Sequence, residues 1–506
     1  MESEIRSLRS TSKTAEQILL QRYRNRLITH LILPISSFRL RYLPLLMIYF
    51  AYGALGVIDI SRDMWVKETL PLSPAEIAGI GVWLGLPWTI KMVFGELVDT
   101  VAMFGSRRRS YVFLGAAFTA TGLLVLAGGS GGYIVILHPT QIFVAGMMLI
   151  VIGTVLQDVV ADAMSTEVVS RVNETGAPKP EKEILAELGM VQVLGRLALS
   201  IGILAVAGLS GLLAKYFSRE AVFLMALAVP LISVAGALLV NLEPASSRPL
   251  NWKFLGAGLV FGAVILVCSF VNFYLSQEFV FLLSLAVIVT MLVKVTGSVS
   301  PAERRMILYT AIIIFVFRST PTVGDGYFWW SLDVLKFDEL FYGVLRQSSA
   351  VIGLVAMWLL ARELTEYEVK KILLFLTFAG LVISLPSIGL YYGFSNWTEA
   401  HFGIGARSIA IVDAAAASPF VHLSMIPLLT LIARYAPPDY RATWFALMAS
   451  LMNLALVMGQ LQTKYLNILF PVQRGDYEAL GQLMIASAII GFLLPLIALA
   501  FIARKI

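Results

Sequence analysis

GVWLGLPWTIKMVFGELVDTVAMFGSRRRSY, residues 81–111, is the stretch whose reading decides the fold. As far as Leu97 it is an apolar run broken by Lys91 and Glu96. It closes on Asp99, and Gly105 is followed by Arg107, Arg108 and Arg109. An apolar run of this length that ends in a charged loop reads as a membrane-spanning helix. An ionisable side chain inside hydrocarbon costs at least ~2.5 kcal/mol on insertion scales, which marks Lys91 as a functional candidate. Asp99 sits at the C-terminal end of its helix, where the dipole disfavours an anion, so cationic partners are expected from elsewhere. The plainer alternative is a snorkelling Lys91 and a solvated turn.

Working outward, the whole chain shares this character. Of its 506 residues, 58% are hydrophobic and only 14% are charged, whereas soluble domains average ~25% charged residues. The fold class is therefore an all-α polytopic membrane protein, with the lipid bilayer as its first partner, and a soluble enzyme is excluded. The net charge of +6 fits the excess of Lys and Arg in cytoplasmic loops and implies no nucleic-acid partner. A lone cysteine, Cys268, excludes a disulfide framework and a Cys-cluster metal site. The histidines, His30, His138, His401 and His422, lack ligand spacing, so no metal and no cofactor are expected. Residues 1–41 are basic and show no cleavable signal; Ile18, Leu19, Tyr23, Leu27 and Leu31 within them suit a helix lying on a membrane surface.

Fourteen apolar segments are long enough to span: 42–60, 76–98, 110–130, 139–165, 185–214, 220–241, 253–274, 279–296, 306–330, 339–361, 370–391, 404–433, 441–466 and 478–503. With the N-terminus inside, 26 Lys/Arg fall on the inner side and 7 on the outer, with five inside spans. That bias supports an even count with both termini cytoplasmic. MWVKETLPLS at 64–73 echoes WWSLDVLKFD at 329–338, each following a first span and preceding a second. Parallel repeats of six spans build the two halves of major facilitator transporters. The expected order is a basic cytoplasmic tail at 1–41, a six-helix bundle at 42–241, a linker with an inserted transmembrane hairpin at 242–304, and a second six-helix bundle at 305–506. The hairpin has no charge in the middle of either span and is expected to face lipid without a transport role.

PWTIK at 87–91, G-x-L-x-D at 95–99 and FGSRRRSY at 104–111 together resemble the folate–biopterin transporter family of the major facilitator superfamily. QDVVADAMSTEVV at 157–169, Arg196 in GRLALSIG, STPTVGDGYFWW at 319–330 with LKF at 335–337, and APPDYRATWFALMASLMN at 436–453 extend the resemblance over both halves. It implies a secondary transporter, not an enzyme, that moves folate, biopterin or a related pterin by alternating access, in a bacterial inner (plasma) membrane. Arg441 and the extra hairpin depart from the family pattern, which leaves the exact substrate open. Rivals are transport of another organic anion or of S-adenosylmethionine, and, from another class, a membrane-embedded enzyme. No nucleophile or metal motif supports the last.

Depth along each span, at ~1.5 Å per residue, sets the candidate site. Arg196 and Arg318 fall near mid-membrane, one per half, with Asp413 at similar depth and Lys91 toward the cytoplasm. These four are the expected substrate-binding residues, a cationic cavity suited to the carboxylates of a folate. The alternative is internal pairing, Arg318 with Asp413 for example. Arg346 and Arg407 lie near the outer surface and are expected to snorkel. Asp158 and Asp162 share a helix face and suit either a proton carrier or, by their depth, a gate that meets basic residues of the loop after span 2 or of span 5. Glu96, Asp99, Arg107, Arg108 and Arg109 complete the expected gating and coupling set, with the N-terminal end of span 441–466 as a partner for Asp99 and protons as a candidate coupling ion. Trp83, Trp88, Phe328 and Trp444 are candidates for stacking on a pterin, though packing is the plainer role.

Overall fold

The computed structural model describes residues 37–502, except Glu174, 240–251, Asn272, 298–299, Tyr367 and 436–440. Every regular element among the described residues is a helix, and eleven are long and apolar enough to cross a membrane. The tail expected at 1–41 lies, as far as residue 36, outside the described residues, as does the linker at 242–251.

The first half opens with α1 (Leu43–Ala54), a 3-10 turn (Leu55–Ile58) and α2 (Asp59–Thr69), which together form one span from Leu40 to Thr69. This span runs well past the end expected at residue 60. The second span is α3 (Pro74–Thr89) and α4 (Lys91–Thr100). Ser73 and Glu76 cap α3 reciprocally, satisfying two otherwise orphaned N–H groups. Pro87 inside α3 withholds an N–H from the helix ladder, leaving the Trp83 carbonyl without its usual i+4 donor; the helix ends at Ile90 and Lys91 opens α4. Then come α5 (Arg109–Ser130), α6 (Pro139–Glu167), α7 (Glu181–Tyr216) and the pair α8 (Arg219–Met225) and α9 (Ala228–Leu239). The inserted hairpin is α10 (Trp252–Val271) and α11 (Ser276–Val295).

The second half repeats the order. Its first span is α12 (Pro301–Arg318), a non-helical stretch at 319–325, and α13 (Gly326–Asp333). There follow α14 (Glu339–Glu366), α15 (Val369–Tyr391), the short α16 (Phe394–Phe402), α17 (Ala406–Leu423) with α18 (Met425–Arg434), α19 (Arg441–Leu469) and α20 (Leu480–Ile502). The segments expected as continuous spans at 306–330 and 404–433 are thus broken helices. Pro321 and Gly324, the latter at φ +76°, account for the first break. Backbone freed inside a membrane must be satisfied by protein. Here Gln462 donates to the Ser319 carbonyl (2.6 Å), Asn467 to that of Val323 (3.1 Å) and Ser487 to that of Pro321 (3.2 Å), while the Thr322 N–H donates to Thr463 (2.9 Å).

The halves meet along two seams, α3 against α19 and α7 against α14. In the second seam a Cβ on Gly211 would lie 2.5 Å from the Glu339 carbonyl oxygen, so only glycine lets these backbones approach. The hairpin is not a free lipid-facing insertion. One face of α11 buries Val280, Phe281, Ile288 and Leu292, and these pack with Val82, Trp83 and Leu86 of α3 and with Leu451 and Leu461 of α19. Lys464 of α19 bonds Glu278 (2.7 Å) and Gln277 (2.9 Å). An uncharged middle was a poor guide because apolar side chains serve equally against lipid and against protein.

Candidate functional site

Two cavities lie between the halves. The first, about 500 Å³, is walled by Arg62, Asp63, Phe143 and Met147 of the first half and by Thr322, Asp325, Tyr327 and Ser387 of the second. The second, about 670 Å³, is walled by Tyr52, Asp59 and Leu199 on one side and Arg346, Ser349 and Ala417 on the other. Both are in the size range of small-molecule sites. An ion network divides them. The Arg62 guanidinium donates to Asp59 (2.9 Å) and, through two of its nitrogens, to a single oxygen of Asp63 (2.7 and 2.9 Å). Arg346 of α14 donates to Asp59 at 2.8 Å and lies 3.9 Å from Asp63. The network therefore ties the first half to the second.

These residues were missed or misassigned in the sequence. Asp59, Arg62 and Asp63 fall at i, i+3 and i+4 on one helix, a spacing that makes neighbours. That was the available signal, but three charges in five residues also look like the end of a span. Arg346 does not snorkel to the surface; it is half-buried against its carboxylates.

The expected residues of the first half form a second cluster. Lys91 bonds Asp158 and Asp162, each at 2.5 Å, and the Tyr49 hydroxyl donates to Asp162 at 2.8 Å. Asp158 is the more buried acid and Asp162 the more exposed. Arg196 is exposed, forms no ion pair among the described residues and is close enough to act electrostatically on Asp158. The acids thus meet Lys91 of span 2 itself rather than the loop after it.

In the second half, Arg318 is the last residue of α12, where a cation complements the C-terminal carbonyls. It forms no ion pair among the described residues, and its Nε is buried without a hydrogen-bond partner. The pairing of Arg318 with Asp413 is absent: Ser387 donates to Asp413 at 2.6 Å, and the other Asp413 oxygen is buried without a partner. Arg196, Arg318, Lys91 and Asp413 are not among the residues walling either cavity.

Each face has its own polar cluster. On the face carrying the basic loops, Arg108 bonds Asp99 (2.9 Å) and Glu167 (2.6 Å) and donates to the Val98 carbonyl (3.1 Å). Asp99 therefore finds its cation nine residues on, inside its own loop; the start of α19 lies at side chains outside the described residues. Arg109 donates to the Ala237 carbonyl at 3.0 Å. Glu96 and Arg107 each have an interaction partner. On the opposite face the halves are joined directly. Lys67 bonds Asp333 at 2.5 Å, Tyr477 donates to the same carboxylate, and Arg474 donates to the Val66 (2.9 Å) and Leu70 (2.5 Å) carbonyls. Lys67 and Asp333 belong to the two stretches that echo each other in sequence. Burial alone would raise the Asp333 carboxyl, but the bonds from Lys67 and Tyr477 outweigh it and hold it below the usual carboxylate range. Burial and that same bond push the Tyr477 phenol up to about 12.

The aromatic candidates are packed. Trp444 and Trp83 are buried in the core clusters, Phe328 meets Tyr342 edge-on at 4.7 Å, and Trp88 stacks on Tyr52 at 5.8 Å.

Comparison with known proteins places this geometry. The model of the BT1 family matches residues 53–506. A folate-biopterin transporter of Synechocystis sp. (strain ATCC 27184 / PCC 6803 / Kazusa) is 28% identical over 437 residues, covering 84% of this chain and 75% of that protein. Probable folate-biopterin transporter 4 of Arabidopsis thaliana is 22% identical, covering 88% and 91%. Folate transporter 2 of Plasmodium falciparum (isolate 3D7) is 21% identical, covering 82% and 78%. Among solved structures, a POT family transporter in complex with 5-aminolevulinic acid superposes with a TM-score of 0.62 at 14% identity, over 92% of this chain and 96% of that one. The architecture is the major facilitator fold.

Proposed function

The chain belongs to the BT1 family of membrane transporters, and on that premise we propose that it carries a folate- or biopterin-type pterin by alternating access. The observation that carries this reading is the Asp59–Arg62–Asp63–Arg346 network, which spans the two halves and separates two cavities between them. Such a network can form only while the halves are docked near it, so solute entering either cavity competes for its charges. The excess of Lys and Arg supports reading the basic face as cytoplasmic, with both termini inside; the membrane proposed is a bacterial inner membrane. Lys91, Asp158 and Asp162 form the candidate coupling group, with protons as the coupling ion. Arg196, exposed and without an ion pair among the described residues, is the candidate partner for a folate carboxylate. Arg318 and Asp413 stay candidates through buried atoms that have no partner among the described residues. Asp99 and Arg107 to Arg109 are the candidate gating group on the cytoplasmic face, held within the first half.

The test is uptake of labelled folate and biopterin in a folate-auxotrophic host. Wild-type uptake above empty vector, lost in Arg346→Ala and Asp63→Asn, is expected, with Arg196→Ala impairing folate more than biopterin. Uptake equal to empty vector rejects the substrate; full activity in the network variants rejects the site. Dependence on a pH gradient decides proton coupling. The acid excess of the first cavity favours one second reading, a cation-bearing solute such as S-adenosylmethionine, which the same assay addresses with that label.

A further inference from the structure

We propose that Asp325 is the anchor for the pterin ring, holding the edge that carries N3–H and the 2-amino group; this rests on the pterin reading above. Asp325 stands at the mouth of α13, in the non-helical stretch of a broken span, and its side chain walls the first cavity. The stretch that carries it is fixed from behind: its carbonyls and one N–H are bound by side chains of α19 and α20. The side chain makes no capping bond to its own helix and no ion pair among the described residues.

The charges around it decide what it can take. Its charged neighbours are Asp63 and Arg62. Arg62 is already shared between Asp59 and Asp63, and Arg346 is spent on the same two acids. Three carboxylates thus face two guanidiniums, so Asp325, which has its own backbone N–H as a donor but no cation of its own, keeps acceptor capacity toward the cavity. Ligand carboxylates are repelled from such a place. A group offering two parallel N–H donors is drawn to it, because a carboxylate accepts two such bonds side by side. A 2-amino-4-oxopteridine offers that pair on its pyrimidine edge, and the apolar side chains of Phe143 and Met147 on the opposite wall suit its flat face. The glutamyl end of a folate therefore points out of this cavity. Specificity follows, because a site built around such bonds rejects an analogue lacking them far more strongly than a missing methylene would.

The probes are pterin, lumazine, which has a carbonyl in place of the 2-amino group, and p-aminobenzoylglutamate, the tail alone. They compete against labelled biopterin for uptake by cells expressing the full chain. In wild type, pterin competes at least ~10-fold better than lumazine, and the tail competes poorly. In Asp325→Asn the amide matches the lumazine edge, so the ratio falls at least ~10-fold, and Asp325→Glu restores the preference at a reduced rate. Equal competition by pterin and lumazine in wild type overturns the proposal, whether or not the variant folds, and so does an unchanged ratio in a folded Asp325→Asn. If wild type takes up neither biopterin nor folate, the transport reading fails separately. The ring preference is then read from thermal stabilisation of the purified protein, where equal effects of the two rings, or none, sink it.

Discussion

At the scale of single side chains, Lys91 has more work than a lone buried cation. It is the common partner of two acids one helical turn apart, so its removal leaves two carboxylates facing each other. Lys91→Ala is expected to cost about 3 kcal/mol, the low end for breaking a buried pair, because Asp162 is half-exposed. Adding Asp158→Asn should return part of that loss. Thermal unfolding of the detergent-solubilised protein measures the cycle, and simple additivity of the two changes would contradict the coupling. Lys91, Asp158 and Asp162 were legible in the sequence because each interrupts an apolar run. Asp59, Arg62 and Asp63 were not, since they neutralise one another locally and imitate a loop. Arg346 could not be placed from sequence because its partner Asp59 is 287 residues away.

Among the helices, the breaks matter more than the spans. Charge alternation along the chain reports how often it crosses, and it is blind to whether a crossing is one rod or two. Gly-Asp-Gly at 324–326 looks like a loop in sequence, and only the fold shows that the loop lies at the wall of a cavity between the halves. Gly324 has φ +76°, so Gly324→Ala is expected to destabilise by about 1–2 kcal/mol and to lower uptake by displacing Asp325. Asn467→Ala, which orphans the Val323 carbonyl, should act in the same direction by about 1–3 kcal/mol. Normal uptake and stability in both would mean that the broken span is not held as described. The hairpin gives a separate test. Glu278→Ala should lower the unfolding temperature by stranding Lys464, whereas Val267→Ala, on an outward-facing position 59% exposed, should not.

For the molecule as a whole, the face opposite the basic loops is closed by bonds between its halves, and acid should loosen it. Asp333 is held below the usual carboxylate range by Lys67 and Tyr477. A lowered value in the closed state means that the contribution is complete above the ordinary aspartate value, ~4, and is lost as pH falls through the lowered one. The stability difference between wild type and Asp333→Asn should therefore be flat from neutral pH down to about 5, begin to shrink near about 4 and vanish only once pH lies below the lowered value. A difference that grows on acidification would mean that the carboxylate is not the locking form.

The hairpin also sets how the halves can slide. Its tie to α19 is ionic, through Glu278 and Lys464. Its contacts with the first half are apolar, with Val82, Trp83 and Leu86, and include two close glycine approaches: Gln277 lies over Gly79, and Val93 over Gly258. It behaves as a bearing, bolted to one lobe by charge and resting on the other through non-directional apolar contact. A side chain at Gly258 would meet Val93 at 2.5 Å, and Gly258→Val is expected to add friction, so that turnover slows while the solute still binds as tightly as before.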